Sequence, residues 1–459
     1  MTAREFTSSE LVERTIHRRA FEAVIWGMPV VNFDLMYQAA AQLKATFNQI
    51  VYWSRLPDWK NQTLTPNPDS VYLMPFYNTK DVGPIVVEIP PADDGTIVGS
   101  LMDCWQVPLE DVGPAGVDQG KGGRYLILPP DYKEEPPDGF LALASDTFQG
   151  YGLLRSILKR STDKDVAQAV AYAKRIKVYP LSETSNPPAT VFVDAIGMLF
   201  DSTIRYDLPF FRSLNRMVQY EPWQTRDKVM IDLLKSIGIE KGKPFNPDSK
   251  TQGLLRNAIL EAHSYMDLRY EEVFQPPFYE GANWALPASE ELIAGIQSFY
   301  SQHNSYPVDA RGLLFSYVFF STKHLGAGQF YLMTIKDGHG LEFDGGNTYR
   351  LNVPANAPVR QYWSATVYDR RTHALIRDMP RSSRSSQDPD LKKNRDGSSD
   401  IYFGPKAPDG KEANWIPTNP NGKFEVLFRL YGPEKALFDK EWRLPDIELA
   451  SAGQAKKAA

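Results

Sequence analysis

The sequence predicts a mixed α+β chain of several domains: strands forming a β-sandwich, then helices, then a second set of strands. Three observations predict it. The chain has 459 residues, too many for one ordinary hydrophobic core. Apolar and polar residues alternate at a period of two near both ends. The clearest run is Arg360-Gln361-Tyr362-Trp363-Ser364-Ala365-Thr366-Val367-Tyr368-Asp369, with Phe428-Arg429-Leu430-Tyr431 further on. Such alternation belongs to strands with one face buried and one face available. Between the two β regions the apolar spacing becomes helical.

The elements follow in order. Residues 8–41 read as helix, capped by Ser8 or Ser9, with Leu11, Val12, Ile16, Ala20 and Val24 at helical spacing. Pro29 ends or kinks it. The N-terminal helices are therefore assigned to residues 1–47. A β-sandwich domain covers 48–150, where Val71–Tyr77, Ile85–Ile89, Ile97–Asp103 and Arg124–Leu128 are short runs bounded by turn signals and prolines. A mainly helical domain covers 151–335, with helices over Asp163–Lys177, Trp223–Ile237, Gln252–Val273 and Ser289–Gln302. A helix through Phe319 is then followed by a strand from Gln329. Strands return in 336–459, with a polar loop at 380–400 that is either solvated or covers a ligand. A disordered tail is expected from Ser451 to Ala459.

Composition excludes several classes. Hydrophobic residues at 42% and charged residues at 23% are those of a soluble globular protein. A formal net charge of −5 carries no basic footprint for nucleic acid. No run of eighteen apolar residues occurs, so no membrane span is predicted. The N-terminus Met1-Thr2-Ala3-Arg4-Glu5-Phe6 lacks an apolar leader core, which favours the cytoplasm, or the periplasm or exterior if a leader has been removed. One cysteine, Cys104, rules out an internal disulfide and reads as core filler. The abundance of aromatic residues favours a homo-oligomer.

Two acidic positions stand out. In Thr65-Pro66-Asn67-Pro68-Asp69-Ser70-Val71-Tyr72, two prolines make a rigid turn that could hold Asp69 at a cleft edge. The structural alternative is a turn whose Asn67 and Asp69 bond their own backbone. In Asp103-Cys104-Trp105, a carboxylate beside an indole could have a raised pKa and act as a general acid. If Asp69 and Asp103 face one pocket, they suit acid/base hydrolysis. The alternative is two surface acids at strand ends. The six histidines show no common metal spacing, although His324 and His339 lie in unusual glycine-rich surroundings. Gly120-Lys121-Gly122-Gly123-Arg124 reads as a hairpin turn rather than a phosphate loop. Arg360, Tyr362, Arg381 and Arg429 could line a site for a carboxylate, sulfate or sugar, or could pair with local acids.

These motifs carry a resemblance. Asn67-Pro68-Asp69-Ser70-Val71-Tyr72, Asp81-Val82-Gly83-Pro84-Ile85-Val86 and Gly122-Gly123-Arg124-Tyr125 resemble the domain of unknown function numbered twelve-fifty-four. Tyr362–Asp369, Asp396-Gly397-Ser398, Asn414-Trp415-Ile416-Pro417 and Arg429-Leu430-Tyr431-Gly432-Pro433 resemble its C-terminal companion, numbered twelve-fourteen. The resemblance implies an immunoglobulin-like β-sandwich, a helical middle and a C-terminal β jelly roll. It supplies no established catalytic set, and it leaves the cofactor unknown.

The expectation is a hydrolase of a small or medium organic substrate in an interdomain pocket. Asp69 and Asp103 would be the acid/base pair, with Asn67 and Tyr72 orienting. Trp53 and Trp105 would form an apolar wall, and Arg360, Tyr362 and Arg381 would bind an anionic or saccharide ligand. Two alternatives stand beside it. One is a non-catalytic carbohydrate- or partner-binding protein using exposed Tyr362, Trp415 and Arg429. The other is a metal-dependent lyase or oxidative enzyme built from distant ligands.

Overall fold

The computed structural model describes residues 5–318, 322–324 and 328–451. Helix α1 (Ser8–Gln42) opens the chain. Its cap is Thr7 rather than Ser8 or Ser9, because Thr7 and Glu10 form a reciprocal capping box. Pro29 lies inside α1 and does not end it. A proline removes one backbone donor, so the Ile25 carbonyl loses its usual helical partner. Gly312 packs on that carbonyl so closely that a Cβ there would sit 2.5 Å from it.

Strands β1 (Gln49–Tyr52), β2 (Asn61–Gln62), β3 (Val71–Asn78), β4 (Ile85–Ile89), β5 (Ile97–Asp103), β6 (Pro108–Val112), β7 (Gly123–Leu128), β8 (Leu141–Ala144) and β9 (Gln149–Ser156) follow. Helix α2 (Asp163–Ala173) precedes β10 (Lys177–Pro180), β11 (Phe192–Asp194) and β12 (Phe200–Asp201). Among the described residues they build one sheet in the order β11-β1-β3-β9-β5-β6, another in the order β10-β4-β7-β8, and a two-stranded pair, β12-β2. Ile50, Leu73 and Leu154 of the first pack on Val87, Ile127 and Val178 of the second. Burying such side chains contributes about 1.5–3 kcal/mol each.

The opposite face of the larger sheet, with Tyr72, Met74, Phe76, Tyr151 and Leu153, joins a core shared with the helices. These are α1, α3 (Leu208–Tyr220), α4 (Met230–Ser236), α5 (Ser249–Glu272), α6 (Glu290–Gln297) and α7 (Val308–Tyr317). Helix α3 was not expected from the sequence. Asp207 caps it, Pro209 sits in its first turn, and its apolar face is buried.

The C-terminal strands are β13 (Gln329–Thr334), β14 (Thr348–Val353), β15 (Val359–Asp369), β16 (Ser383–Ser385), β17 (Ser399–Gly404), β18 (Trp415–Pro417), β19 (Phe424–Pro433) and β20 (Glu448–Ser451). They pair as β13-β19-β15-β16 and β18-β17-β14-β20. Between these sheets lie Phe424, Val426, Phe428 and Leu430 of β19 and Trp363, Ala365 and Val367 of β15. The alternate residues Glu425, Leu427, Arg429 and Tyr431 point the other way, beside Tyr362, Ser364, Thr366 and Tyr368. All eight are buried too. The expectation of one available face is thus corrected, because the N-terminal unit and the helices cover it.

The expected domain limits also change. Residue 150 falls inside β9, a central strand of the larger sheet, and β10 to β12 belong to the N-terminal sheets. The span 151–335, expected to be a mainly helical domain, holds α2 to α7 but also the end of β9, β10 to β12, and β13, which belongs to the C-terminal sheet. Helix α7 stops at Tyr317, while the expected end at Phe319 and the expected tail beyond Ser451 lie outside the described residues.

Candidate functional site

The polar face of β13, β15 and β19 meets one end of β3 and β9 in a buried seam. Register explains its composition. Tyr72 of β3 sits opposite Arg155 of β9. Tyr331 of β13 sits opposite Arg429 of β19, and Tyr431 opposite Tyr362 of β15. Each unit therefore brings a directly opposed tyrosine–arginine pair.

Asn67 ties the two units together. Its Oδ1 accepts the Asp69 amide at 3.0 Å, which fixes the orientation of the side-chain amide. Its Nδ2 then donates to the hydroxyls of Tyr362 and Tyr431, both at 3.0 Å. The backbone N–H of Asn67 donates to Tyr72 Oη at 2.8 Å, and Arg155 Nε donates to the same oxygen at 3.2 Å. The Tyr362 and Tyr431 rings stack 4.5 Å apart. Arg429 donates through both terminal nitrogens, to Thr366 Oγ1 and the Thr65 carbonyl, each at 2.8 Å, and to Tyr368 Oη.

Asp69 lies in this seam. Its Oδ1 accepts from Ser383 Oγ at 2.6 Å, so the loop at 380–400 supplies a strand, β16, and a partner. The Ser364 hydroxyl also acts on the carboxylate but is poorly aligned, and Asp69 Oδ2 is buried without a well-formed hydrogen bond. Burial, aided by the charge of Asp388, pushes the Asp69 pKa up to about 6 against the opposing pull of Ser383 and Arg429. Thr65 adopts φ +37° and His373 φ +55°, and the Thr65 N–H donates to the His373 carbonyl at 2.7 Å. Non-glycine residues held in the left-handed region store strain, as ligand-binding sites often do.

Asp103 is elsewhere. Val71 lies opposite Ser156, and Asp103 opposite Gly150. Those two positions of β9 are six residues apart, roughly 20 Å at about 3.3 Å per residue. The two carboxylates therefore do not share a hollow, which corrects the sequence expectation of convergence. Asp103 instead closes its own β5–β6 turn, accepting from the Val107 N–H at 2.8 Å. Burial raises its pKa to about 6, opposed by Arg226, the Val107 amide and Arg311.

The remaining candidates divide between the two ends. Trp53 packs edge-on against Tyr72 and Phe200, near the seam. Trp105 packs on Trp26 near Asp103, so the two indoles do not form one wall. Arg360 is exposed and lines a cleft of about 300 Å³ with Asp94, Leu158, Lys159 and Gln387. Arg381 is half-buried, 3.5 Å from the Glu412 carbonyl and outside that cleft. Cys104 is buried and its thiol is pushed up by burial, in keeping with core filler. His324 pairs with Glu110 at 3.0 Å. Among the described residues no three His, Cys, Asp or Glu side chains form a metal-binding group, and no helix is long and apolar enough to cross a membrane.

Sequence reasoning missed Arg155 and Tyr331. It also missed a fully buried Glu425, which accepts from Tyr270 Oη at 2.7 Å and pairs with His373 Nδ1 at 2.9 Å.

Comparison with known proteins places both β units. Residues 47–180 match the family described as a protein of unknown function, DUF1254, and residues 328–435 match the one described as DUF1214. The chain pairs DUF1254 with DUF1214. A crystal structure of the VPA0106 protein from Vibrio parahaemolyticus is similar over 95% of this chain and all of that one, with 18% identity and a TM-score of 0.59. That likeness is one of fold. An uncharacterised protein from Burkholderia cenocepacia aligns over 97% of this chain and 96% of its own, at 11% identity and a TM-score of 0.43. No curated protein matches this DUF1254–DUF1214 chain.

Proposed function

We propose that the chain is a hydrolase of a small or medium organic substrate, with Asp69 as its general base. One observation carries this reading: a buried carboxylate with a pKa of about 6, one oxygen held by Ser383, lying where the two β units meet. A group of that pKa is mostly ionised at neutral pH and still basic enough to take a proton from an attacking water. The cleft of about 300 Å³ offers the approach, since its walls are chain neighbours of the seam: Arg360 and Gln361 precede Tyr362, Ile157 follows Ser156, and Gln387 precedes Asp388. Arg360 has no ion pair among the described residues and would hold an anionic group of the substrate.

The architectural reading that accompanies this is an immunoglobulin-like N-terminal sandwich and a C-terminal jelly roll, supported by the paired sheets of each unit. A lectin-like reading needs exposed Tyr362, Trp415 and Arg429; Tyr362 and Arg429 are 0% and 2% exposed and Trp415 is half-buried. A hydrolysis screen over esters, amides and lactones, read by pH indicator, tests the proposal. Turnover by the wild type that is lost in Asp69→Asn supports it, and turnover that survives the change refutes it.

A further inference from the structure

Several hydrogen-bond donors of the seam face no acceptor among the described residues, while one acceptor, Asp69 Oδ2, is buried without a well-formed hydrogen bond. The hydroxyl oxygens of Tyr72, Tyr362 and Tyr431 each accept from Asn67, and Tyr72 accepts from Arg155 as well. Because Asp69 N–H fixes the Asn67 amide, this polarity cannot be reversed by turning the amide over. Each phenol thus keeps its own O–H as a donor, and among the described residues none of these three finds an acceptor. Arg155 is 6% exposed, its guanidinium lies 5.1 Å from the Tyr72 ring centroid, and Nε makes its hydrogen bond to Tyr72 Oη. Its two terminal nitrogens likewise meet no acceptor there, whereas both terminal nitrogens of Arg429 are hydrogen-bonded. Buried donors without acceptors are costly, and a guanidinium edge flanked by hydroxyl donors complements an oxyanion.

We propose that this cradle, formed by Arg155 with the hydroxyls of Tyr72, Tyr362 and Tyr431, binds the oxyanion of a small organic carboxylate or sulfonate. The inference deepens the reading of Asp69 as a base, because it assigns the substrate its charge. It is tested by binding rather than by turnover.

Calorimetry with benzoate and benzenesulfonate, against neutral benzamide, tests it on the full chain. The wild type is expected to bind at least one anion tenfold or more tightly than benzamide. Tyr72→Phe and Tyr431→Phe keep the rings, remove one donor each, and are expected to weaken that anion about tenfold. Arg155→Met is expected to weaken it about a hundredfold, and if that variant does not fold, the two phenylalanine variants still decide. Asp69→Asn is expected to bind the anion as tightly as the wild type or more so, since it removes a nearby negative charge. Equal binding of anions and benzamide, or unchanged anion binding by both phenylalanine variants, overturns the proposal. Anion binding together with an active Asp69→Asn enzyme would sink the general base alone. A dead Asp69→Asn enzyme without anion binding would sink only the cradle.

Discussion

Asp69 and Asp103 belong to the same β region, are both buried and both have pKa values raised to about 6, yet they keep different company. Asp103 lies beside a second polar network, in which Arg311 Nε and Asp227 Oδ2 are buried without a hydrogen bond among the described residues. Arg311 donates to Tyr306 Oη and to the Trp105 carbonyl at 2.8 Å, while Asp227 accepts from Trp26 Nε1 at 2.8 Å and from Tyr306 Oη at 3.1 Å. These bonds join α1, α7 and the β5–β6 turn, and they suit a structural joint. Asp69 sits among donors that face no acceptor. A raised pKa alone therefore does not mark a site; what separates the two is the leftover groups, tyrosine hydroxyls and a guanidinium edge in the Asp69 seam against a buried cation and carboxylate, Arg311 and Asp227, near Asp103.

The sharpest way to break this comparison is to neutralise each carboxylate in turn. Asp69→Asn should lower kcat/KM by roughly 10²–10⁴, the usual contribution of a general base. Asp103→Asn should stay within about threefold of the wild type. Steady-state kinetics on any substrate found in the hydrolysis screen measures both, and a larger loss for Asp103→Asn would reverse the assignment.

Stability should show the opposite ranking. Arg311→Ala removes a buried cation facing Asp103 and Asp227 and leaves the Trp105 carbonyl without its donor. Breaking one side of such a buried network costs about 3–5 kcal/mol. Urea denaturation should report that loss, and the double variant with Asp103→Asn should recover part of it.

The pH dependence sharpens the contrast further. Both carboxyls have folded pKa values near 6, above the roughly 3.9 of an unfolded aspartate. Between those values the folded state binds more protons. Their stabilising contribution is therefore complete below about pH 4 and is lost as pH rises through about 6, by up to about 3 kcal/mol each. Asp69→Asn should remove its share of that decline in thermal melts. Turnover dependent on an ionised Asp69 should rise across the same window in which wild-type stability falls.

How much of this was legible in the sequence depends on the range of the interaction. The alternation from Tyr362 to Asp369 exposed the strand and its two faces, but not what covers the second one. That cover comes from Asn67 and Tyr72, about three hundred positions earlier. The rigid turn around Asn67 and Asp69 was visible because prolines and an Asx residue act locally. Arg155 was not, because the stretch after residue 150 reads as part of the mainly helical span and nothing local marks β9 (Gln149–Ser156) as a central strand. Only the pairing of Arg155 with Tyr72 reveals its face. Convergence of Asp69 and Asp103 was a guess about register, which one strand's length refutes.

The smallest expected effect lies at the rim. Arg360 is exposed, and Gly432 packs against it so closely that a Cβ there would meet Arg360 Cβ at 3.1 Å. Its guanidinium has no ion pair among the described residues, so Arg360→Ala removes no fixed bond of the fold. Stability should change by no more than about 0.5 kcal/mol, as for most surface substitutions. If Arg360 guides an anionic substrate through the cleft, KM should rise several-fold with kcat nearly unchanged, and the effect should shrink with added salt. A fall in kcat with KM unchanged would instead place Arg360 against the reacting atoms, and would move the chemistry from the seam out to the cleft.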